Sequence, residues 1–385
     1  LSQSCIAVKP WEIDKMHNVL GLHEYDALLE SYNREYEEYK AVSRIPVVFS
    51  INEKYAPYLA VCLKSLAVHV AVDERYRIIV MCDNVKNITM IQLRNVIKDY
   101  ENIDIEFVDI RKKMHEFSES FGQTVTDRQE NRLYSGEFTL TIYFRLFIAE
   151  LFPELDKAVY IDSDTVINDD IAKLYSVDMG DAMFGAVRDT FAGKNTILAH
   201  YIENVVGIER NEYVNSGVLV MNLDKMRRTH LADIFLKLMA EYHFDSVAPD
   251  QDYINAICAK DIYFLDKEWN VMPNKGGEYM ARPKLIHYNL FDKPWHYSEI
   301  PYEEYFWQYA AESGFYPLLI KQREQYGDSE RSADRENLKK LLARAENIAD
   351  GDGVKFSDVV GNRFVENSDF VRDSDFVRDS SDAVK

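Results

Sequence analysis

Val159-Tyr160-Ile161-Asp162-Ser163-Asp164-Thr165-Val166 is the stretch on which the reading of this chain turns. A run of β-branched and aromatic residues, the composition favoured in strands, ends in two carboxylates spaced i, i+2. In an extended chain such residues project to one side. Asp162 and Asp164 can then reach one divalent cation at the strand's C-terminal end, where open α/β sheets bind ligands. Two carboxylates without a thiolate suit Mg²⁺ or Mn²⁺ better than zinc. Taken alone, the same stretch also reads as a strand followed by an acidic turn, so its surroundings have to discriminate.

Upstream, Pro46-Val47-Val48-Phe49-Ser50-Ile51 reads as a buried strand, Tyr58 to Val70 as a helix, Arg77 to Met81 as a strand, Ile88 to Tyr100 as a helix and Ile103 to Val108 as a strand. Strand and helix alternating at this spacing predict a right-handed βαβ sheet with helices on both faces. Phe138 to Phe152 reads as an apolar helix stopped by Pro153. Downstream, Met183 to Val187 and Val214 to Asn222 read as strands, Leu223 to Glu241 and Asp250 to Ala259 as helices, and 301–349 as helical.

The ends are less regular. Residues 1–43 predict an N-terminal helical extension. The tail, 350–385, is low in apolar residues and repeats Ser-Asp-Phe-Val-Arg-Asp at 368–373 and 374–379; its composition predicts disorder. The segment 302–326 is rich in Tyr, Phe and Trp, and its pattern fits either acceptor or membrane-surface contact or packing on the sheet domain.

Composition narrows the functional classes. A chain of 385 residues holds one large domain with additions, or two. A formal charge of −20 argues against a nucleic-acid binder, since phosphate-tracking surfaces need clustered Lys and Arg. Cys5, Cys62, Cys82 and Cys258 form no C-x-x-C pair and read as reduced thiols. No apolar run is long enough to cross a bilayer. The N-terminus shows no basic region followed by an apolar core, and a cytoplasmic location is the expectation.

Four further clusters accompany the two carboxylates. Asn215-Ser216-Gly217 puts a small polar element at the start of a strand, which lets a ligand approach the backbone closely, or forms an ordinary turn. Asp250-Gln251-Asp252 opens a helix after Pro249, either as a cap or as a hydroxyl-binding cluster. His287 ends a strand, with Lys293-Pro294-Trp295 six residues later; a structural histidine, or a third metal ligand beside a phosphate-binding lysine, both fit. Tyr143-Phe144-Arg145 places an arginine among apolar residues, where it needs an anionic partner.

In this order, from about residue 45 to 300, the set resembles family 8 of the retaining glycosyltransferases. The carrying residues are Ser50-Ile51-Asn52-Glu53-Lys54-Tyr55, Tyr143-Phe144-Arg145, Asp162-Ser163-Asp164, Asn215-Ser216-Gly217-Val218, Asp250-Gln251-Asp252, and His287 through Lys293-Pro294-Trp295. The resemblance implies a GT-A type α/β fold, a Rossmann-like mixed sheet flanked by helices spanning 44–300. Helical regions at 1–43 and 301–349 would be additions to it.

The resemblance also implies transfer of a hexose, galactose or glucose, from a UDP-sugar to a glycan, glycolipid or glycoprotein, with Mn²⁺ or, in its place, Mg²⁺. By position, Asp162, Asp164 and His287 are the implied metal ligands. Ser50, Asn52, Tyr55, Arg145, Ser163, Asn215, Ser216 and Lys293 would surround the nucleotide-sugar, with Tyr55 stacked on uracil, Asn52 at its edge and Lys293 on the diphosphate. Asp250 and Gln251 are the implied catalytic residues.

In one departure, Leu290 stands where relatives often carry a glycine that lets the backbone approach phosphate. Two other readings stay open: a haloacid-dehalogenase-like phosphatase built on Asp162-x-Asp164, and a non-catalytic nucleotide-sugar-binding module. Mn²⁺-dependent UDP binding discriminates the transferase from the phosphatase.

Overall fold

The computed structural model describes residues 44–111, 140–273 and 279–360. Its centre is a seven-stranded sheet in the order β3-β2-β1-β4-β7-β6-β8. The strands are β1 (Ile45–Asn52), β2 (Tyr76–Asp83), β3 (Ile103–Asp109), β4 (Lys157–Ile161), β6 (Phe184–Arg188), β7 (Val214–Asn222) and β8 (Ile262–Phe264). A two-stranded ladder pairs β5 (Thr165–Ile167) with β9 (Leu285–His287).

Strands β1 and β2 were readable because they are apolar on both faces, as parallel strands covered by helices require, whereas β3 at the edge alternates apolar residues with Asp104 and Glu106. Val47, Phe49 and Ile51 enter one core and Val48 the other; Ile78, Val80 and Cys82 alternate in the same way with Ile79 and Met81. The crossover helix Ala56–Ala67 is buried almost all round, whereas Asn87–Ile97 buries only Thr89, Leu93 and Ile97, one stripe at helical spacing. The direction changes at β4, which runs parallel to β1 but antiparallel to β7. At that boundary Ile161 stands opposite Val218.

Several expectations need adjustment. β4 stops at Ile161, so Asp162-Ser163-Asp164 is the turn into β5 and not an extended run. Residues 140–147 form a 3₁₀ helix that becomes α-helical only at Ile148–Leu151. The helix expected over 223–241 divides into Leu223–Arg228 and Leu231–Tyr242, because His230 between them is left-handed at φ 53°.

The aromatic segment also packs differently from the acceptor or membrane-surface expectation. Tyr302, Phe306, Tyr309 and Phe315 are buried in the first core, and Tyr305 and Trp307 pack against it. Arg323 pairs with Glu303 and covers the Trp307 ring. Only Tyr316 and Leu318 of its large apolar side chains are exposed. Most of the rings that suggested surface contact are thus spent on packing helices Glu303–Ala310 and Tyr316–Gln325 against the sheet domain.

Beyond them a long helix, Asp328–Asp350, packs against helix Thr196–Tyr201. The first residues of the stretch expected to be disordered are folded as well. Phe356, on the short helix Phe356–Val359, is fully buried, stacked 4.1 Å from Phe244 and edge-on 4.9 Å from Tyr253. One buried ring anchors a segment whose average composition is polar. The expected N-terminal helix, Cys5 and the repeated hexapeptides lie outside the described residues.

Candidate active site

The turn after β4 is positioned from both sides. Asp162 N–H donates to Gly217 O across the β4–β7 boundary at 2.7 Å, and Tyr288 N–H donates to Asp164 O at 3.0 Å. The β5–β9 ladder pairs Thr165 with His287, which brings the histidine beside Asp164. One ligand atom from each of Asp162, Asp164 and His287 lies within 4.8 Å of the other two. His287 Nε2 is 3.3 Å from Asp164 Oδ1 and 3.8 Å from Asp162 Oδ2.

The far side of the imidazole fixes its tautomer. Asn270 donates its amide N–H to Asn215 Oδ1 at 2.9 Å, so Asn270 Oδ1 faces His287 Nδ1 at 3.2 Å and accepts its proton. Nε2 then points at the two carboxylates, where it can share a divalent cation with them. Gly217 makes the room. A Cβ there would sit 2.2 Å from His287 Cε1 and 2.8 Å from Asp162 Oδ2. The close approach expected of a ligand at Asn215-Ser216-Gly217 is made instead by the chain's own His287 and Asp162 side chains. Two carboxylates and an oriented imidazole fit a hard-to-borderline divalent ion such as Mn²⁺.

Cations already hold the outer faces of the carboxylates. Arg145, itself buried, donates Nη2–H to Asp162 Oδ1 at 3.0 Å and Nη1–H to Ser216 O at 2.5 Å. Its Nε lies 3.2 Å from Asp250 Oδ2, and its guanidinium covers the Tyr160 ring at 4.4 Å. Tyr160 O–H also donates to Asp162 Oδ1, at 2.8 Å. Lys293 Nζ donates to Asp164 Oδ2 at 2.5 Å and to Tyr288 O.

The two carboxylates of one turn consequently differ. Burial pushes Asp162 up, against the pull of Arg145 and His287. Burial acts on Asp164 in the same sense, but Lys293 and His287 outweigh it and hold its carboxyl well below the usual range. For Arg145 burial works against the charge, and Asp162 and Asp250 more than compensate, so the guanidinium stays charged.

Behind the turn stand Asp250 and Gln251, on helix Pro249–Cys258. Ser216 O–H donates to Asp250 Oδ2 at 2.9 Å. Gln251 Oε1 accepts from Asn215 Nδ2 and Ser216 N, both at 3.1 Å, and its Nε2–H donates to Asp189 Oδ2, also at 3.1 Å. Asp252 has a different task from its neighbours. It is wholly buried and accepts from Tyr201, Tyr213, Ser246 and Ala248 N, tying down the helix start and leaving no hydroxyl-binding role.

A cavity of about 270 Å³ joins these groups, and every site residue expected from the sequence lines it, Ser50 and Ser163 included. Asn52 Oδ1 caps the following turn by accepting from Tyr55 N at 3.2 Å, and Tyr55 leaves its ring partly exposed beside Tyr58. Sequence reasoning missed Asp189, which is buried and holds Gln251, and Asn270, which orients His287. Asp189 follows β6 directly, so a carboxylate at a strand's C-terminal end was the available signal. Asn270 lies in irregular chain and offered none.

The model of glycosyl transferase family 8 matches residues 46–299. The chain belongs to that family. A putative glycosyltransferase of Haemophilus influenzae is 27% identical over 227 residues, which cover 59% of this chain and 63% of the relative. This chain thus spans less than two thirds of that protein's length. Among solved structures, the bifunctional glycosyltransferase WbbM aligns at a TM-score of 0.64 and 24% identity, over 74% of this chain and 52% of that one. The galactosyltransferase LgtC, solved with donor and acceptor sugar analogs, aligns at 0.55 and 24% identity, over 69% and 95%. Both likenesses support the GT-A fold. Family membership removes the phosphatase alternative.

Two features set this family 8 chain apart. Leu290 has a left-handed backbone, φ 53°, the conformation that a glycine at this position adopts without strain. Residues 300–360 lie beyond the family match, yet helix Asp328–Asp350 contributes Leu338 and Leu341 to the wall of the cavity.

Proposed function

We propose that the chain transfers a hexose, galactose or glucose, from a UDP-sugar to a hydroxyl of a glycan, glycolipid or glycoprotein, with retention and with Mn²⁺ at Asp162, Asp164 and His287. The observation that carries this reading is that the candidate metal ligands and the Arg145–Asp250–Gln251 group open on one cavity. Residues 44–300 form the catalytic domain in this reading, and a cytoplasmic location goes with it. Among the described residues no helix is long and apolar enough to cross a membrane.

The divalent ion, when bound, supplies a Lewis acid for the departing diphosphate. The chain's own residues prepare the site around it. Arg145 and Tyr160 fix Asp162 through Oδ1, which leaves Oδ2 towards His287. Lys293 lies on Asp164 in the cavity wall, within reach of a phosphate placed beside that carboxylate. Tyr55 offers a ring face for uracil.

Asp250 and Gln251 meet the positive charge that develops at the sugar ring. The Gln251 carbonyl already accepts from Asn215 and Ser216. Both of its lone pairs are engaged, which argues against nucleophilic attack by this oxygen. The direct test is release of UDP from UDP-glucose and UDP-galactose with and without Mn²⁺. Hydrolysis that requires the metal supports the reading; no turnover of either donor at saturating Mn²⁺ overturns it.

A further inference from the structure

Part of the cavity wall is apolar, although Asn337 and Arg344, the latter paired with Asp245, also line the cavity. Phe191, Leu198, Ile202 and Val247 line it from the sheet domain, and Leu338 and Leu341 from helix Asp328–Asp350. The helix is anchored lower down, where Ala345 and Ala349 are buried and Leu341 and Ile348 pack on the second core. One turn further up, Leu338 is half-buried in the cavity wall.

This wall runs into the catalytic pair through consecutive residues, Val247-Ala248-Pro249-Asp250-Gln251, all of which line the cavity. A nucleotide-sugar whose uracil is stacked on Tyr55 has little else to place there. Its diphosphate, ribose and hexose are polar throughout, and burying their hydroxyls against aliphatic carbon would leave hydrogen bonds unmade. The groups suited to a nucleotide and its phosphates, Tyr55, Lys293 and the candidate metal ligands, stand elsewhere in the cavity wall.

The geometry points to an acceptor subsite for an apolar aglycone: a sugar whose hydroxyl reaches Asp250 and Gln251 while an alkyl or aryl group linked to that sugar fills the lobe closed by Leu338. The inference rests on the transferase reading and deepens it, naming the chemical class of the acceptor. Leu338 and Leu341 lie outside the family match, so this specificity belongs to the chain's own C-terminal helix.

Calorimetry on the UDP-loaded protein tests it, with methyl and hexyl β-glucoside and β-galactoside as probes. Partial burial of the added methylenes predicts about tenfold tighter binding, or more, for the hexyl member of the preferred pair. Leu338→Asn should bring the hexyl-to-methyl ratio close to 1, and Leu338→Ala, a better helix former, serves if the first variant fails to fold. Equal affinity of the hexyl and methyl glycosides, or binding of neither, overturns the subsite, as does an unchanged ratio in the folded Leu338 variant. UDP-sugar hydrolysis, measured separately without acceptor, shows whether the transferase reading survives. Mn²⁺-dependent hydrolysis together with a flat series removes the lobe alone, whereas absence of hydrolysis removes both.

Discussion

The two ends of the cavity are held by different physics. At the polar end, Asp162, Asp164 and His287 are fixed by strand register, by Arg145 and Lys293, and by an amide relay through Asn270. At the apolar end, side chains from three separate segments and one long helix meet mainly by packing, with Val247 N–H held by the Tyr201 hydroxyl. Packing tolerates substitution by degrees. A ligand set does not, since its members act together. Sequence change should therefore be abrupt in effect at one end and graded at the other.

The largest effect is expected where the ligands converge. Asp162→Ala, Asp164→Ala and His287→Ala should each lower UDP-sugar hydrolysis by about 10²–10³-fold or more, and pairs of them little further. Additive losses in initial rates at saturating Mn²⁺ would show that they do not share one ion. Next, Phe356→Ala should lower stability by about 3–5 kcal/mol in urea unfolding, because a fully buried ring is removed from the cluster that braces the Asp250 helix. A negligible change would mean that the 356–359 segment detaches without consequence, and the graded end of the comparison would lose its anchor.

Gly217→Ala sharpens the contrast, since one methyl group presses on the ligand set directly. The clash with His287 and Asp162 should lower stability by about 1–3 kcal/mol and reduce hydrolysis more than the stability loss accounts for. Equal activity per folded molecule would break the link between this glycine and the ligands.

Glu150 shows what a buried carboxylate does without such partners. Its Oε2 has no hydrogen-bond partner, and burial pushes its carboxyl up to about 7. Its pKa is raised on folding, so its contribution to stability is present below about pH 4.5 and lost as pH rises through about 7. Glu150→Gln should match the parent at pH 4 and exceed it by about 1–3 kcal/mol at pH 8, as read from denaturant midpoints at both pH values. The smallest effect belongs to Leu290→Gly. Relief of the left-handed strain is partly offset by the freer unfolded chain, leaving a gain of less than about 1 kcal/mol. A loss in thermal melts would mean that the Leu290 side chain contributes packing.

The sheet was legible because alternation is written locally: Val47 to Ile51 and Ile78 to Cys82 show two faces in order, and β7 begins and ends where its composition does. The polar end was legible as a set of residues but not as a geometry. Asp162 and Asp164 converge through a turn, and the partner that brings His287 to them is a ladder of three residues a side, a pairing no local pattern reveals. Composition misled in two segments. The aromatic content of 302–326 suggested a surface although most of its rings face inward, and the polar average over 350–360 concealed Phe356. In both, the fate of a ring depends on whether distant chain offers it a pocket. Asp189 and Asn270 escaped for the same reason, since each matters through a side chain far away in sequence.

The strand reversal beside β4 has a consequence for how the site comes apart. Asp162 hangs from the β4–β7 boundary, in the middle of the seven-stranded sheet, so its position persists until that sheet is lost. His287, Leu290 and Lys293 reach the same point from β9 and the loop after it, and β9 is bonded to the three-residue β5 on one side and to Val271 on the other. Local opening draws on the elements with fewest hydrogen bonds to break. The β9 half, His287 included, can therefore open before the sheet that holds Asp162 does, and an ion held by all three candidate ligands would lose one of them with it.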